Sequence, residues 1–206
     1  MSALSPRPWR IALSPREHTA APGRSAHQSL DLELLGWLRQ RLPNALPWCV
    51  PLLDDVDAVA AQAERIGIDA LLLAGGGDVS AQPRREAIEE RLLACAAASG
   101  WPVLAVCRGL QRLHLRDGGV LEPVSGHVGR PHALQAVGES VNSWHHYGFY
   151  APPPGWEVLA RADDGSIEAM RHRQRPWLGL MWHPEREGGA AALAEPWLRA
   201  LFEPAG

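Results

Sequence analysis

Three stretches of this sequence hold residues that could do covalent chemistry together. In PVLAVCRGLQRL a run of apolar residues delivers Cys107 to a point where Gly109 opens an amphipathic stretch two residues later. That layout fits a nucleophile elbow, in which a reactive side chain sits on a tight strand-to-helix turn and small neighbours such as Ala105 and Gly109 avoid clashes. A helix N-terminus beside the sulfur favours the thiolate, and the Arg108 amide can face an oxyanion. Far along the chain, LGLMWHPE ends a second apolar run in His183, Pro184 and Glu185. Residues two apart in extended chain point the same way, so Glu185 can orient the imidazole of His183, which supplies the base that a thiol nucleophile needs. Between them in function lies LLLAGGGDVS, whose Gly75, Gly76 and Gly77 let backbone N–H groups approach a substrate closely. The loop has neither the lysine of a Walker motif nor G-x-G-x-x-G spacing.

The elements that must position these residues alternate apolar runs with helical patterns, as in an α/β domain. Strands are expected at Trp9 to Leu13, Trp48 to Leu52, Ala70 to Ala74 and Pro102 to Val106. Helices are expected at Ser29 to Leu42, Val56 to Ile66, Arg84 to Ala98 and from Cys107 to near Gly118, with Pro43 and Gly100 as stops. Beyond residue 120 the pattern shortens. Leu121 to Val124, Leu134 to Val137, Val141 to Ser143, Glu157 to Ala162, Ile167 to Met170 and Trp177 to Trp182 read as strands, Pro152 to Pro154 as a turn, and Ala190 to Leu201 as a closing helix. No repeat or low-complexity segment interrupts residues 1–206, which read as a single domain.

Composition narrows the classes further. With 206 residues, 46% of them hydrophobic and 21% charged, a net charge of −3 and no lysine among the twenty basic residues, Schiff-base lysine chemistry is excluded and no general attraction for nucleic acid is expected. No apolar run reaches the roughly 18 residues that span a bilayer, and arginine and proline break the N-terminal stretch, so no membrane association and a cytoplasmic location are expected. The odd count of three cysteines points to reduced thiols, with Cys49 and Cys95 reading as packing residues. His127, His132, His145, His146 and His172 invite a metal assignment, but C-x-x-C and H-E-x-x-H spacings are absent, so neither metal nor other cofactor is expected. His114 and His172 read as structural or solvated.

Taken in order, LLLAGGGDVS, PVLAVCRGLQRL with GGVL after it, and VNSWHHYGFY followed by IEAM and LGLMWHPE resemble the class I glutamine amidotransferases. Within them the chain is most similar to the free-standing hydrolase branch, peptidase family C26, over about residues 10 to 203. The resemblance implies a flavodoxin-like three-layer α/β sandwich, a mostly parallel central sheet with helices on both faces. It implies Cys107 as nucleophile, His183 as base and Glu185 as its orienter, with Gly76 and the Arg108 amide as oxyanion donors. It also implies that Gln111, Ser143, Trp144 and His145 hold the glutamyl part of a γ-glutamyl amide, with His127 lining the same pocket. SGHVGRPH and NSWHHYG look similar to γ-glutamyl-CDP-amidate hydrolases, and γ-glutamyl-GABA hydrolases are next nearest. Ala74, where proline or serine is common, and HLRDGG, in place of a more apolar helix end, depart from both. The partner so implied is a small γ-glutamyl amide, and a homodimer is compatible with it. The alternatives are an ammonia-supplying glutaminase subunit, which would need a synthase partner, and a catalytically silent binding protein on the same fold.

Overall fold

The computed structural model describes residues 8–23, 25–135 and 138–203. Its centre is a seven-stranded sheet formed by β1 (Arg10–Ser14), β2 (Leu46–Cys49), β3 (Ala70–Leu73), β4 (Val103–Val106), β5 (Trp156–Arg161), β6 (Ile167–His172) and β7 (Trp177–Leu180). The spatial order is β5-β6-β7-β4-β3-β1-β2. The pairs β2/β1, β1/β3, β3/β4 and β4/β7 are parallel, while β5, β6 and β7 form an antiparallel meander at one end. The parallel core therefore has the 2-1-3-4-5 winding of flavodoxin-like sheets, with β7 as its fifth strand.

Alternation along the buried strands explains the layers. Leu72 and Leu104 face one side with α1 (Leu32–Arg41) and α5 (Ala191–Phe202). Leu71, Leu73 and Val103 face the other with α2 (Val56–Arg65), α3 (Pro83–Ser99) and α4 (Arg108–Arg116). Strands covered on both faces can be apolar at every position, which is why ALLL and VLAV are continuous runs with all residues buried. Helix ends follow local chemistry: Asp31 accepts the Glu33 N–H at the start of α1, Asp55 accepts that of Ala58 at the start of α2, and Gly100 closes α3 in the left-handed conformation.

Several expected boundaries move. The helix expected from Ser29 begins at Leu32, because His27–Ser29 pairs with Arg16–His18 in a two-stranded ribbon and Asp31 supplies the cap. The second strand lies at Leu46–Cys49 rather than Trp48 to Leu52. Its pairing starts when the Leu46 amide meets the Trp9 carbonyl at 2.7 Å, and Pro47 is accommodated because this strand is at the sheet edge. In place of the strand expected at Leu134 to Val137, a ribbon pairs His132–Ala133 with Ser140–Val141, and Leu134 makes an isolated bridge to Ala162; residues 136 and 137 lie outside the described residues. A further ribbon pairs Glu122–Pro123 with Tyr147–Gly148. Among the described residues, no helix is long and apolar enough to cross a membrane.

Candidate active site

The carboxyl ends of β3, β4 and β7 lie side by side, and each delivers one of the three stretches singled out in the sequence. In open α/β sheets this edge is where ligands bind. After β4, Cys107 has φ 50° and ψ −106°, a conformation rare outside glycine, and its carbonyl accepts the Gln111 N–H as α4 starts. Its own N–H is tied to the Leu180 carbonyl of β7 at 2.7 Å. The strained turn is thus fixed on both sides, which presents the sulfur at the end of the sheet. Gly109 lets α4 pass tightly over β3: a Cβ there would lie 2.3 Å from the Leu73 carbonyl oxygen.

The stretch after β7 places His183 against this thiol. Its Nδ1 is 2.6 Å from Glu185 Oε1, and both side chains are 3% exposed. Burial alone would lower the affinity of His183 for a proton, but the Cys107 thiol and the Glu185 carboxylate outweigh it and push its pKa up to about 9. The Gly75 backbone runs over both groups, so that a Cβ there would come within 2.7 Å of His183 Cε1 and 3.5 Å of Cys107 Cβ. The expected elbow, base, orienter and glycine loop therefore meet at one place.

A cavity of about 290 Å³ opens from this point, with Gly76, Cys107, Arg108, Gln111, Trp144, His145 and His183 in its lining. Gln111 is held there by a 2.8 Å hydrogen bond from Nε2 to the Tyr147 carbonyl. Trp144 stands half exposed at the wall. Arg16 also lines it and makes no ion pair among the described residues. Two expected pocket residues are placed elsewhere. Ser143 is buried and donates to the His127 carbonyl at 2.6 Å, and neither Ser143 nor His127 belongs to the cavity lining. The reason is local: the bridge between Val128 and Trp144 turns residues 127 and 143 inward, while Trp144 faces out. His114 is structural as expected, buried in a stack on Phe149 with centroids 3.7 Å apart and with Nε2 3.0 Å from the Val120 carbonyl.

Three supporting residues escaped the sequence reading. Arg85 of α3 is fully buried and donates to the carbonyls of Ala74 and Gly76, fixing the peptide planes of the glycine loop. Glu89, one turn later, accepts from Arg85 and Ser14, and its two oxygens accept from Arg108 Nη1 at 3.0 and 2.8 Å. The Arg108 guanidinium is thus turned down into α3 while its backbone remains at the elbow. Burial raises the Glu89 carboxyl, but Arg85 and Arg108 hold it below the usual carboxylate range. Asn142 brackets His183, accepting its N–H at 2.9 Å through Oδ1 and donating through Nδ2 to the carbonyls of His183 and Glu187.

Against known proteins, the sequence model of the family Glutamine amidotransferase class-I matches residues 49–194. The γ-glutamyl-CDP-amidate hydrolase of Campylobacter jejuni subsp. jejuni serotype O:2 is 28% identical over 129 residues, covering 59% of this chain and 64% of that protein. The γ-glutamyl-γ-aminobutyrate hydrolase of Escherichia coli O157:H7 is 28% identical over 202 residues, covering 79% of this chain and 78% of that one. Among solved structures, a proposed GMP synthase component from Thermoplasma acidophilum superposes with a TM-score of 0.69 at 15% identity, covering 95% of this chain and 94% of that chain. That likeness carries the fold, a mostly parallel sheet between two helical layers. With the family match extending over most of its length, the chain belongs to the class-I glutamine amidotransferases.

Proposed function

We propose that this protein is a γ-glutamyl amide hydrolase, one catalytic domain in which Cys107 is the nucleophile, His183 the acid and base, and Glu185 the group that orients His183. The observation that carries this reading is the strained turn that presents Cys107 to an imidazole whose far nitrogen is 2.6 Å from a buried carboxylate. A proton-hungry His183 takes the thiol proton, and the thiolate sulfur attacks the γ-carbonyl carbon of the substrate. The resulting oxyanion is held by the Gly76 and Arg108 amides. The C–N bond then breaks, with the imidazolium proton passing to the departing amine. Water, losing its proton to His183, attacks the thioester, releases glutamate and returns the thiol.

Gln111, Trp144 and His145 line the cavity where the glutamyl group would sit, and Arg16 offers a cation for a carboxylate or for a phosphate-bearing leaving group. The two hydrolases named above act on γ-glutamyl-CDP-amidate and γ-glutamyl-GABA, and these are the substrates to try first. The test is turnover of a panel of γ-glutamyl amides followed by mass spectrometry, with Cys107→Ala beside the wild type. Loss of at least about 10⁴-fold in kcat is expected for the variant, because the covalent route is removed. Equal turnover by the two proteins would sink the mechanism. Membership of the glutamine amidotransferase family favours a second reading, a glutaminase that passes ammonia to a synthase. Glutamine hydrolysis that rises sharply only when a synthase is added would select it.

A further inference from the structure

One buried cluster is not used by this chemistry. Glu168, on β6, is fully buried, and neither of its carboxylate oxygens has a hydrogen-bond partner. Three histidines from the 120–148 excursion surround it. His132 Nε2 is 3.3 Å from Oε2, while His145 Nε2 and His127 Nδ1 lie 3.6 and 3.7 Å from Oε1. Neither ring nitrogen of His132 makes a hydrogen bond of good geometry, although Nε2 faces Oε2. A buried carboxylate faced by three imidazoles without one well-formed hydrogen bond is costly unless a positive centre sits among these atoms.

The outer hydrogen bonds say which atoms face inward bare. His127 Nε2 is 2.9 Å from Asp164 Oδ2, and His145 Nδ1 is 3.0 Å from the Tyr147 carbonyl. Carboxylate and carbonyl oxygens accept, so both of these ring nitrogens carry the proton. In neutral rings, His127 Nδ1 and His145 Nε2 then present lone pairs to Glu168 and, 3.3 Å apart, to each other. An imidazole whose other N–H is fixed by a carboxylate or a backbone carbonyl is the arrangement found behind metal-binding histidines. The imidazole–carboxylate contacts are close to what an ion needs: with bonds of about 2.0–2.1 Å to nitrogen and oxygen, a tetrahedral ion sets neighbouring ligand atoms about 3.3–3.4 Å apart. The donor atoms of His127, His132 and Glu168 all lie within 4.8 Å of one another, so the longest separation must shorten when an ion binds.

We propose that His127, His132 and Glu168, completed by His145, bind one zinc-like divalent transition-metal ion. The site is a closed, structural one. It joins three points of the excursion to β6 of the main sheet, and so anchors the wall that carries Trp144 and His145 along the cavity. The mixture of imidazoles with one carboxylate suits zinc or its neighbours rather than calcium or magnesium, which take oxygen ligands. The inference holds whether or not Cys107 is a nucleophile.

The test is the metal content of the tag-free chain by elemental mass spectrometry, after purification and again after dialysis against zinc. About one ion per chain is expected in the wild type and in Cys107→Ser, with at least a tenfold loss in Glu168→Gln and His132→Ala. Should these last variants not fold, cobalt(II) titration of the chelator-treated wild type decides, since tetrahedral coordination by imidazole gives strong visible absorption. Absorption saturating at one cobalt supports the site. No bound metal above background after zinc dialysis and no cobalt spectrum would overturn it, leaving a cluster neutralised by protons. Loss of the ion in Cys107→Ser with retention in Glu168→Gln would also overturn it, by placing the metal at the thiol.

Discussion

Two buried carboxylates, Glu89 beneath the elbow and Glu168 beneath the excursion, are both essentially inaccessible to solvent, yet they are neutralised by different means. Glu89 meets two guanidiniums and a serine hydroxyl, and Arg85 keeps its proton at neutral pH even though burial lowers its pKa to about 10. Glu168 meets only imidazoles, whose charge depends on what they bind. The first cluster holds the glycine loop and the elbow in one geometry under all ordinary conditions. If the proposed ion binds there, the second cluster ties the opposite wall of the cavity to a ligand from outside. Rigidity is therefore built in where the proposed bond-making occurs, and on the proposed metal site it would be supplied from outside on the facing wall.

The largest effect that separates the two regions is expected from Arg85→Met. Removing one guanidinium leaves Glu89 under-neutralised, the Ala74 carbonyl without its side-chain donor and the Gly76 carbonyl with Gln82 Nε2 alone, a change of the kind that costs about 3–5 kcal/mol when a buried pair is broken. Urea denaturation should report that loss, and metal content should not change with it. A variant as stable as the wild type would show that the two clusters do not differ as described.

A somewhat smaller effect is expected from pH at His183. Its folded value of about 9 lies above the ordinary 6.5, so the proton on His183 stabilises the fold. That contribution is complete below about pH 6.5 and is lost as pH rises through about 9, and a shift of this size corresponds to something on the order of 3 kcal/mol. In Cys107→Ser one of the two partners that raise the value is gone. Unfolding midpoints of wild type and variant should therefore converge between pH 6.5 and 9, and the His183 ring resonance should titrate at lower pH in the variant. Parallel curves for the two proteins would mean that the thiol does not contribute to the proton affinity of His183.

Legibility in the sequence follows the same division. The elbow, the glycine loop and the His-Pro-Glu turn are each local, lying at the ends of continuous apolar runs whose type is set by burial on both faces, so strand ends and chemistry could be read together. What holds them could not. Arg85 stands in PRREAIEERL among charges that look like an exposed helix face, and only the packing of α3 under the strand ends buries it. Glu168 in IEAM looks like the polar position of an alternating strand. The histidines gather through a ribbon two residues long and an isolated bridge, for which no periodicity exists to be read, and proposed ligands drawn from several separate segments leave no spacing motif. This is why the expectation of no metal and the proposed site disagree.

Asn142→Ala should give an intermediate effect, because Asn142 joins the two regions: it lies within the excursion and brackets the backbone of His183. The substitution strands a buried N–H and loosens a buried carbonyl, for about 1–3 kcal/mol of stability. If it positions His183, kcat should fall by about 10- to 100-fold with KM little changed. Lost stability at full kcat would restrict Asn142 to holding the fold.

The smallest effect is expected from Ser143→Ala, and it bears most directly on where the substrate site ends. Family resemblance puts Ser143 among the groups that hold the glutamyl moiety, whereas its hydroxyl is committed to the His127 carbonyl and its side chain is buried outside the cavity lining. A hydrogen bond of this kind is worth about 1 kcal/mol net, and alanine leaves a carbonyl rather than a charge without its partner. The expected outcome is a drop of about 1 kcal/mol in unfolding free energy with kcat and KM both within about twofold of the wild type. A raised KM at unchanged stability would reverse the assignment and return Ser143 to the substrate pocket. The same pair of measurements thus marks how far the cavity wall belongs to binding and where it becomes scaffold for the histidine cluster behind it.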